Sequence, residues 1–235
     1  MSDRKNHKYS GERRGRDLKS HGGYRGSRQR EGYRRSKSPN QFHSTLRLHP
    51  GMVIYILDIL QHGGVDKAGH QWHPIAQVIE VSKFQLYEMV LNKSRIADIK
   101  LQQKIIISEK QDIFEKIQRK INYTDLTPTS SSTLDLVIEQ YVNENEIKFI
   151  EFINKSGPIT IKRHSLEVLP GIGKKLMWEI VNARNNPFKN FEDLHSRVPG
   201  FKPVETFTKR IIEEISDADL KHYLFVKQKH KEHRY

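Results

Sequence analysis

A proline–glycine turn occurs twice within about 30 residues, the kind of repeat that signals a doubled supersecondary unit. The first copy is Pro170-Gly171-Ile172-Gly173, with Leu166 and Leu169 before it and Leu176, Met177, Ile180 and Val181 after it. The second is Val198-Pro199-Gly200-Phe201, followed by Val204, Phe207, Ile211, Ile212 and Ile215. Glycine tolerates backbone conformations that a Cβ forbids, and proline fixes the entry to the turn. One helix–turn–helix pair is marginal alone, whereas two similar pairs can bury their apolar faces against each other. Residues 158–216 are therefore expected to be an all-helical unit. Asn185-Asn186-Pro187 stops the first pair, and Asn190 is the expected N-cap of a short helix beginning at Phe191. Trp178 is expected to be buried beside Ile180 and Val181.

Strand patterns come earlier in the chain. Met52–Leu57, Ile75–Val81, Phe84–Leu91 and Lys104–Ile107 are short β-branched or alternating runs, and Ser82-Lys83 suits a hairpin turn between the second and third. Four such strands suggest a small barrel or a sandwich. Helical spacing follows. Ile113, Phe114, Ile117 and Ile121 share one helical face. Thr127-Pro128 and Ser130-Ser131-Ser132 can cap a new helix carrying Leu134, Val137, Ile138 and Tyr141. Ile147, Phe149, Ile150 and Ile153 form a further stripe, ended by Gly157-Pro158. Tyr223-Leu224-Phe225-Val226 reads as one last strand, returning to the edge of the barrel.

Charge is segregated along the chain. Residues 1–47 hold 14 basic and 4 acidic residues, and residues 227–235 hold 4 basic and 1 acidic. The intervening body holds 23 of each, so the two ends supply the whole net charge of +13. Gly, Ser, Arg and Lys dominate the first segment and aliphatic residues are almost absent. Such a composition cannot offset its ordering entropy, which predicts a disordered basic tail. Tyr24-Arg25-Gly26 and Gly32-Tyr33-Arg34-Arg35 set aromatics beside arginines, a pairing that offers charge and stacking to single-stranded RNA.

Several chemistries lack their residues. The chain has no cysteine, which removes disulfides, thiolate metal sites and cysteine nucleophiles. No apolar run is long enough for a bilayer and no apolar h-region opens the chain, so a cytoplasmic protein with no membrane partner is expected. His62, His70 and His73, with His43 and His49 upstream, fit no metal-ligand spacing, so neither metal nor cofactor is expected. Gly171-Ile172-Gly173-Lys174-Lys175 lacks the spacing and the hydroxyl of a nucleotide-binding loop. No nucleophile has an evident base. Glu192 and Asp193 read as first-turn charges that complement a helix dipole. No enzyme is expected and no catalytic residue is assigned. The first turn instead opens a helix with bare N–H groups and Lys174 and Lys175 beside them, an arrangement suited to a phosphate oxygen.

The stretch Leu169-Pro170-Gly171-Ile172-Gly173-Lys174-Lys175, with Ile180 and Arg184 beyond it and Pro187 to Leu194 as a linker, resembles a tandem helix-hairpin-helix unit. A wider match runs from about residue 48 to 226. It includes Leu57-Asp58-Ile59-Leu60, His62-Gly63, Pro74-Ile75-Ala76-Gln77, Tyr123 to Thr127 and Tyr223 to Val226, and it resembles the archaeal DUF655 family. That resemblance implies an α+β fold: a small OB-like β-barrel followed by an all-helical tandem helix-hairpin-helix domain. The expected layout is a basic tail over 1–47, the barrel over 48–122 and connecting helices over 123–157. The hairpin domain then covers 158–216, and a C-terminal strand and basic tail cover 217–235.

The resemblance also implies a role in nucleic-acid binding. Phosphate contacts are expected from the amides of Gly171, Ile172 and Gly173, with Lys174, Lys175 and Arg184 nearby. The second turn departs from the pattern, since Phe201-Lys202-Pro203 replaces its second glycine and donors, and a structural role is expected for it. On an OB-like face, Tyr55, Trp72, Phe84 and Tyr87 are the candidates for stacking on unpaired bases. The expected function is non-enzymatic binding of nucleic acid, RNA favoured over DNA, with ribosomal or transfer RNA and ribonucleoprotein association in view. The alternatives are a DNA repair or replication accessory factor, a protein-interaction scaffold, and a hydrolase with an unrecognised carboxylate site.

Overall fold

The computed structural model describes residues 46–63 and 73–227. All belong to one compact unit, Ser44–Tyr235. The tail segments 1–45 and 228–235, together with Gly64 to Trp72, lie outside the described residues.

The β-branched runs form strands β1 (Val53–Leu60), β2 (Ile75–Glu80), β3 (Gln85–Leu91) and β4 (Lys104–Ile106). A fifth strand, β5 (Phe114–Lys120), stands where helical spacing pointed to a helix. The error has an identifiable cause. β5 pairs with β3 through Leu91 with Phe114, Val90 with Lys116, Met89 with Ile117 and Glu88 with Arg119. Glu115 and Gln118 are the extra residues of two bulges. Each bulge adds a residue without advancing the pairing. Phe114 and Ile117, three apart in sequence, therefore fall on one face of the sheet, and Ile121 falls on the other. Two bulges in a strand counterfeit the period of a helix.

The five strands pair antiparallel in the order β4-β1-β2-β3-β5. The sheet is open: among the described residues no ladder joins β4 to β5, so it is not a closed barrel. Both faces are nonetheless covered. Ile54, Ile56, Ala76, Val78, Met89, Leu91, Ile105, Phe114 and Ile117 gather on one side. Tyr55, Leu57, Ile79 and Leu86 face the helices on the other. Hence all six residues of central strand β2 are buried. Its two polar members are satisfied. Gln77 donates from Nε2 to the Asp125 carbonyl at 3.0 Å and accepts from the Thr127 amide at 3.0 Å. Glu80 accepts from the amides of Ser82 and Lys83 at 2.7 and 3.2 Å, which closes the β2–β3 turn.

Helix α1 (Pro128–Glu144) starts where Thr127-Pro128 predicts. The Thr127 hydroxyl accepts from the Ser130 amide and donates to Asp58 at 2.6 Å, tying the cap to β1. Such a cap contributes about 1 kcal/mol. α2 (Glu146–Lys155) buries Phe149, Ile150 and Ile153. A two-stranded hairpin absent from the sequence reading follows, β6 (Pro158–Thr160) with β7 (Arg163–His164). After a 3-10 turn at Ser165–Val168 come α3 (Lys174–Ala183), α4 (Phe191–Arg197) and α5 (Pro203–Ser216). Asn190 caps α4 as expected, accepting from the Asp193 amide. Phe207 sits at the centre of this region, with the rings of Phe149, Phe152, Phe191, Phe201 and Phe225 at centroid distances from 4.7 to 6.3 Å. One apolar core runs from Tyr55 and Leu57 through α1 and α2 to Ile211.

Two further expectations fail. Tyr223 to Val226 forms no strand. The amides of Leu224, Phe225 and Val226 all donate to the carboxylate of Glu214, at 2.7, 2.9 and 2.8 Å, so no sheet edge is needed to satisfy them. Trp178 is 58% exposed. α3 buries Met177 and Ile180, and Trp178 points the opposite way.

Candidate nucleic-acid interface

The short 3-10 turn at Ser165–Val168 delivers the chain to the first proline–glycine turn. Its start is fixed by a reciprocal pair: His164 Nδ1 accepts from the Leu166 amide at 3.1 Å, and Glu167 accepts from the His164 amide at 2.7 Å. Burial, and then the nearby Arg184 guanidinium, push the His164 imidazole below its ordinary pKa. Gly171 next adopts φ +79°, the left-handed region that disfavours any side chain. Ile172 turns inward, with a buried side chain and an amide that donates to the Leu169 carbonyl at 3.2 Å. Gly173 is the N-cap of α3 and has no side chain to cap it.

The result is an exposed row of donors. Among the described residues, the amides of Gly171, Gly173, Lys174 and Lys175 have no acceptor, and all four residues are exposed. The positive end of the α3 dipole and two ammonium groups lie at the same place. Trp178 follows one turn later, three residues from Lys175 and four from Lys174, on the same outer face. That spacing was legible in the sequence; what hid it was the assumption that tryptophan goes inside.

The two turns are neighbours. Pro170, Gly171 and Ile172 from the first, with Gly200, Lys202 and Lys209 from the second turn and α5, line a cavity of about 210 Å³. Both lysines pair with Glu205, at 3.6 and 2.7 Å. The second turn is closed on itself: the Phe201 amide donates to the Val198 carbonyl at 3.0 Å and its ring is buried. Arg197 stacks over Phe188 at 4.0 Å and donates to the carbonyls of Ala183 and Asn186.

The other expected site residues fare differently. Ile172 is corrected, since its amide is taken and its side chain is in the core. Arg184 is corrected as well. It donates to the carbonyls of Ile153 and Ser156 and to the Ser156 hydroxyl at 2.7 to 2.8 Å, satisfying carbonyls that the end of α2 leaves without helical partners. Burial lowers its pKa. Tyr55 is fully buried between sheet and α1, its hydroxyl donating to Glu144 at 2.9 Å. Desolvation, then that carboxylate, raise its pKa to about 12. Lys104 reaches the same Glu144 oxygen at 2.6 Å, which holds the Glu144 carboxyl below its usual range. Phe84 is buried edge-on to Tyr141, with centroids 5.3 Å apart. Neither ring offers a face to a base. Tyr87 is half-buried and lines an open groove. Trp72, His70 and His43 lie outside the described residues. Among the described residues, no three His, Asp or Glu side chains gather as a metal site would require, and no helix is long and apolar enough to cross a membrane.

Comparison with known proteins places this architecture. A family model described as "Protein of unknown function (DUF655)" matches residues 51–227. The uncharacterized protein MJ0038 of Methanocaldococcus jannaschii is 39% identical over 178 residues, covering 74% of this chain and 79% of that protein. The crystal structure of Af1531 from Archaeoglobus fulgidus, a DUF655 protein, matches with a TM-score of 0.68 at 35% identity, covering 75% of this chain and 99% of that one. With a family model matched over most of its length, and with sequence and fold both similar to DUF655 relatives, the chain belongs to the DUF655 family.

Proposed function

We propose that the protein binds nucleic acid without altering it chemically, and that RNA is its target. The observation that carries this reading is the row of unpartnered amides at Gly171, Gly173, Lys174 and Lys175 beside two exposed ammonium groups. Phosphate oxygens accept from such donors irrespective of base sequence. The paired turns are read as a tandem helix-hairpin-helix in which the first copy grips the backbone and the second braces it. The open five-stranded sheet is read as OB-like, with Tyr87 as its remaining stacking residue. RNA is favoured over DNA because the first 47 residues set tyrosines among arginines and glycines, at Tyr24-Arg25-Gly26 and Gly32-Tyr33-Arg34-Arg35. Ribosomal or transfer RNA in the cytoplasm is the target class, by analogy with other proteins of this build.

Fluorescence anisotropy with labelled RNA tests it. Lys174→Glu combined with Lys175→Glu is expected to weaken binding by about tenfold or more and to lower the salt slope by roughly two contacts. Unchanged affinity would overturn the reading in favour of a protein-interaction scaffold. Competition between single-stranded RNA and duplex DNA decides the target, and a win for the duplex points to a DNA accessory factor. Metal-dependent cleavage of the labelled strand would refute the non-enzymatic assignment.

A further inference from the structure

A second groove, of about 720 Å³, opens beside the β2–β3 turn. Its volume lies within the range of cavities that enclose a ligand of nucleotide size. Arg47, His49, Lys83, Lys120 and Lys227 line it, with Tyr87 in its wall. Arg47, Lys83 and Lys227 are exposed and make no ion pair among the described residues. Lys104 also lines it but is paired with Glu144 at 2.6 Å. Among the described residues the only lining carboxylate, Glu80, is buried and has both oxygens occupied by the Ser82 and Lys83 amides. The groove is thus strongly cationic and has one aromatic wall.

Both ends of the described chain border this groove. Leu46 and Arg47 line it, and so does Lys227, which follows directly on the three amides held by Glu214. Beyond Leu46 lie 13 basic and 4 acidic residues, and beyond Lys227 lie 3 basic and 1 acidic. Most of the +13 surplus of the chain is therefore joined to the fold at the rim of one cleft. A ligand drawn to that charge is a polyanion. One that also uses Tyr87 has an accessible flat face, which an unpaired base has and a paired one in a duplex does not.

We propose that this groove holds a single strand of RNA, separately from the backbone contact at the first hairpin. Phosphates lie against Arg47, Lys83 and Lys227, and a base lies on Tyr87. The assignment rests on the nucleic-acid reading above and gives it a second, strand-selective site.

The full-length chain is titrated against labelled oligouridylate and against a labelled RNA duplex. Arg47→Glu with Lys83→Glu should weaken oligouridylate binding about tenfold while changing duplex binding less than about threefold. Lys174→Glu with Lys175→Glu should weaken both. Photocrosslinking of wild-type protein to RNA containing 4-thiouridine should yield modified peptides bearing Tyr87, a readout independent of any variant. Oligouridylate affinity within about twofold of wild type, together with crosslinks only elsewhere, overturns the groove assignment and leaves the hairpin reading intact. If Arg47→Glu with Lys83→Glu abolishes binding of the full-length chain to phosphatidylserine vesicles while leaving RNA binding unaffected, that too overturns it. Absence of any RNA binding by the wild-type chain removes both readings.

Discussion

Glu214 shows how much one side chain can organise. It is 2% exposed, accepts three successive backbone amides, and pairs with Arg210 at 2.8 Å. Arg210 in turn donates to the His222 carbonyl. A buried carboxylate survives only when charge and hydrogen bonds replace its water, and here every partner belongs to the C-terminal segment or to α5. Removing the carboxylate leaves three amides without their acceptor and takes from the buried Arg210 guanidinium one of its two carboxylate partners, the other being Glu213 at 3.3 Å. Glu214→Ala is expected to cost about 3–5 kcal/mol in urea denaturation. Hydrogen exchange should show protection lost first at Leu224, Phe225 and Val226. A cost below about 1 kcal/mol would show that the clamp contributes nothing beyond a surface pair.

At the scale of elements, the entry to the first hairpin carries a pH dependence. His164 accepts from the Leu166 amide through Nδ1, and its pKa is depressed by burial and by Arg184. The folded state thus favours the neutral ring. The unfolded chain takes up the proton at a higher pH, near the ordinary 6.5. Stability from this group is present above that value and is lost as pH falls through the folded-state pKa. His164→Asn keeps an acceptor for the amide but does not titrate. Its stability should fall less than that of wild type between about pH 7 and pH 5, by denaturant midpoints; parallel profiles would refute the assignment. Signals confined to a few neighbouring residues were the readable ones: the caps at Thr127 and Asn190, the hairpin turn at Ser82-Lys83, and the glycine-dependent turn at Gly171. What could not be read depended on distant partners. The bulges of β5 are set by β3, the C-terminal amides are satisfied by Glu214 on α5, and Arg184 answers carbonyls of α2. The outward side of Trp178 is set by which face of α3 the core claims.

For the whole molecule, charge and fold are divided between different parts of the chain. Residues 1–43 lie outside the described residues and hold 13 basic and 4 acidic residues. Their removal is expected to leave the thermal midpoint unchanged in calorimetry while reducing the salt slope of RNA binding. A slope equal to that of the intact chain would assign every phosphate contact to the folded body. The nearness of Arg47 and Lys227 to one cleft has a topological consequence too. A trimmed chain ligated head to tail by a short peptide bridge, and reopened at the exposed Ile161 tip, should keep its architecture, since folds whose ends are neighbours accept such permutation. The bridge itself would span the cleft like a strap. Cyclisation thus becomes a way to plug one site while leaving every strand and helix in place.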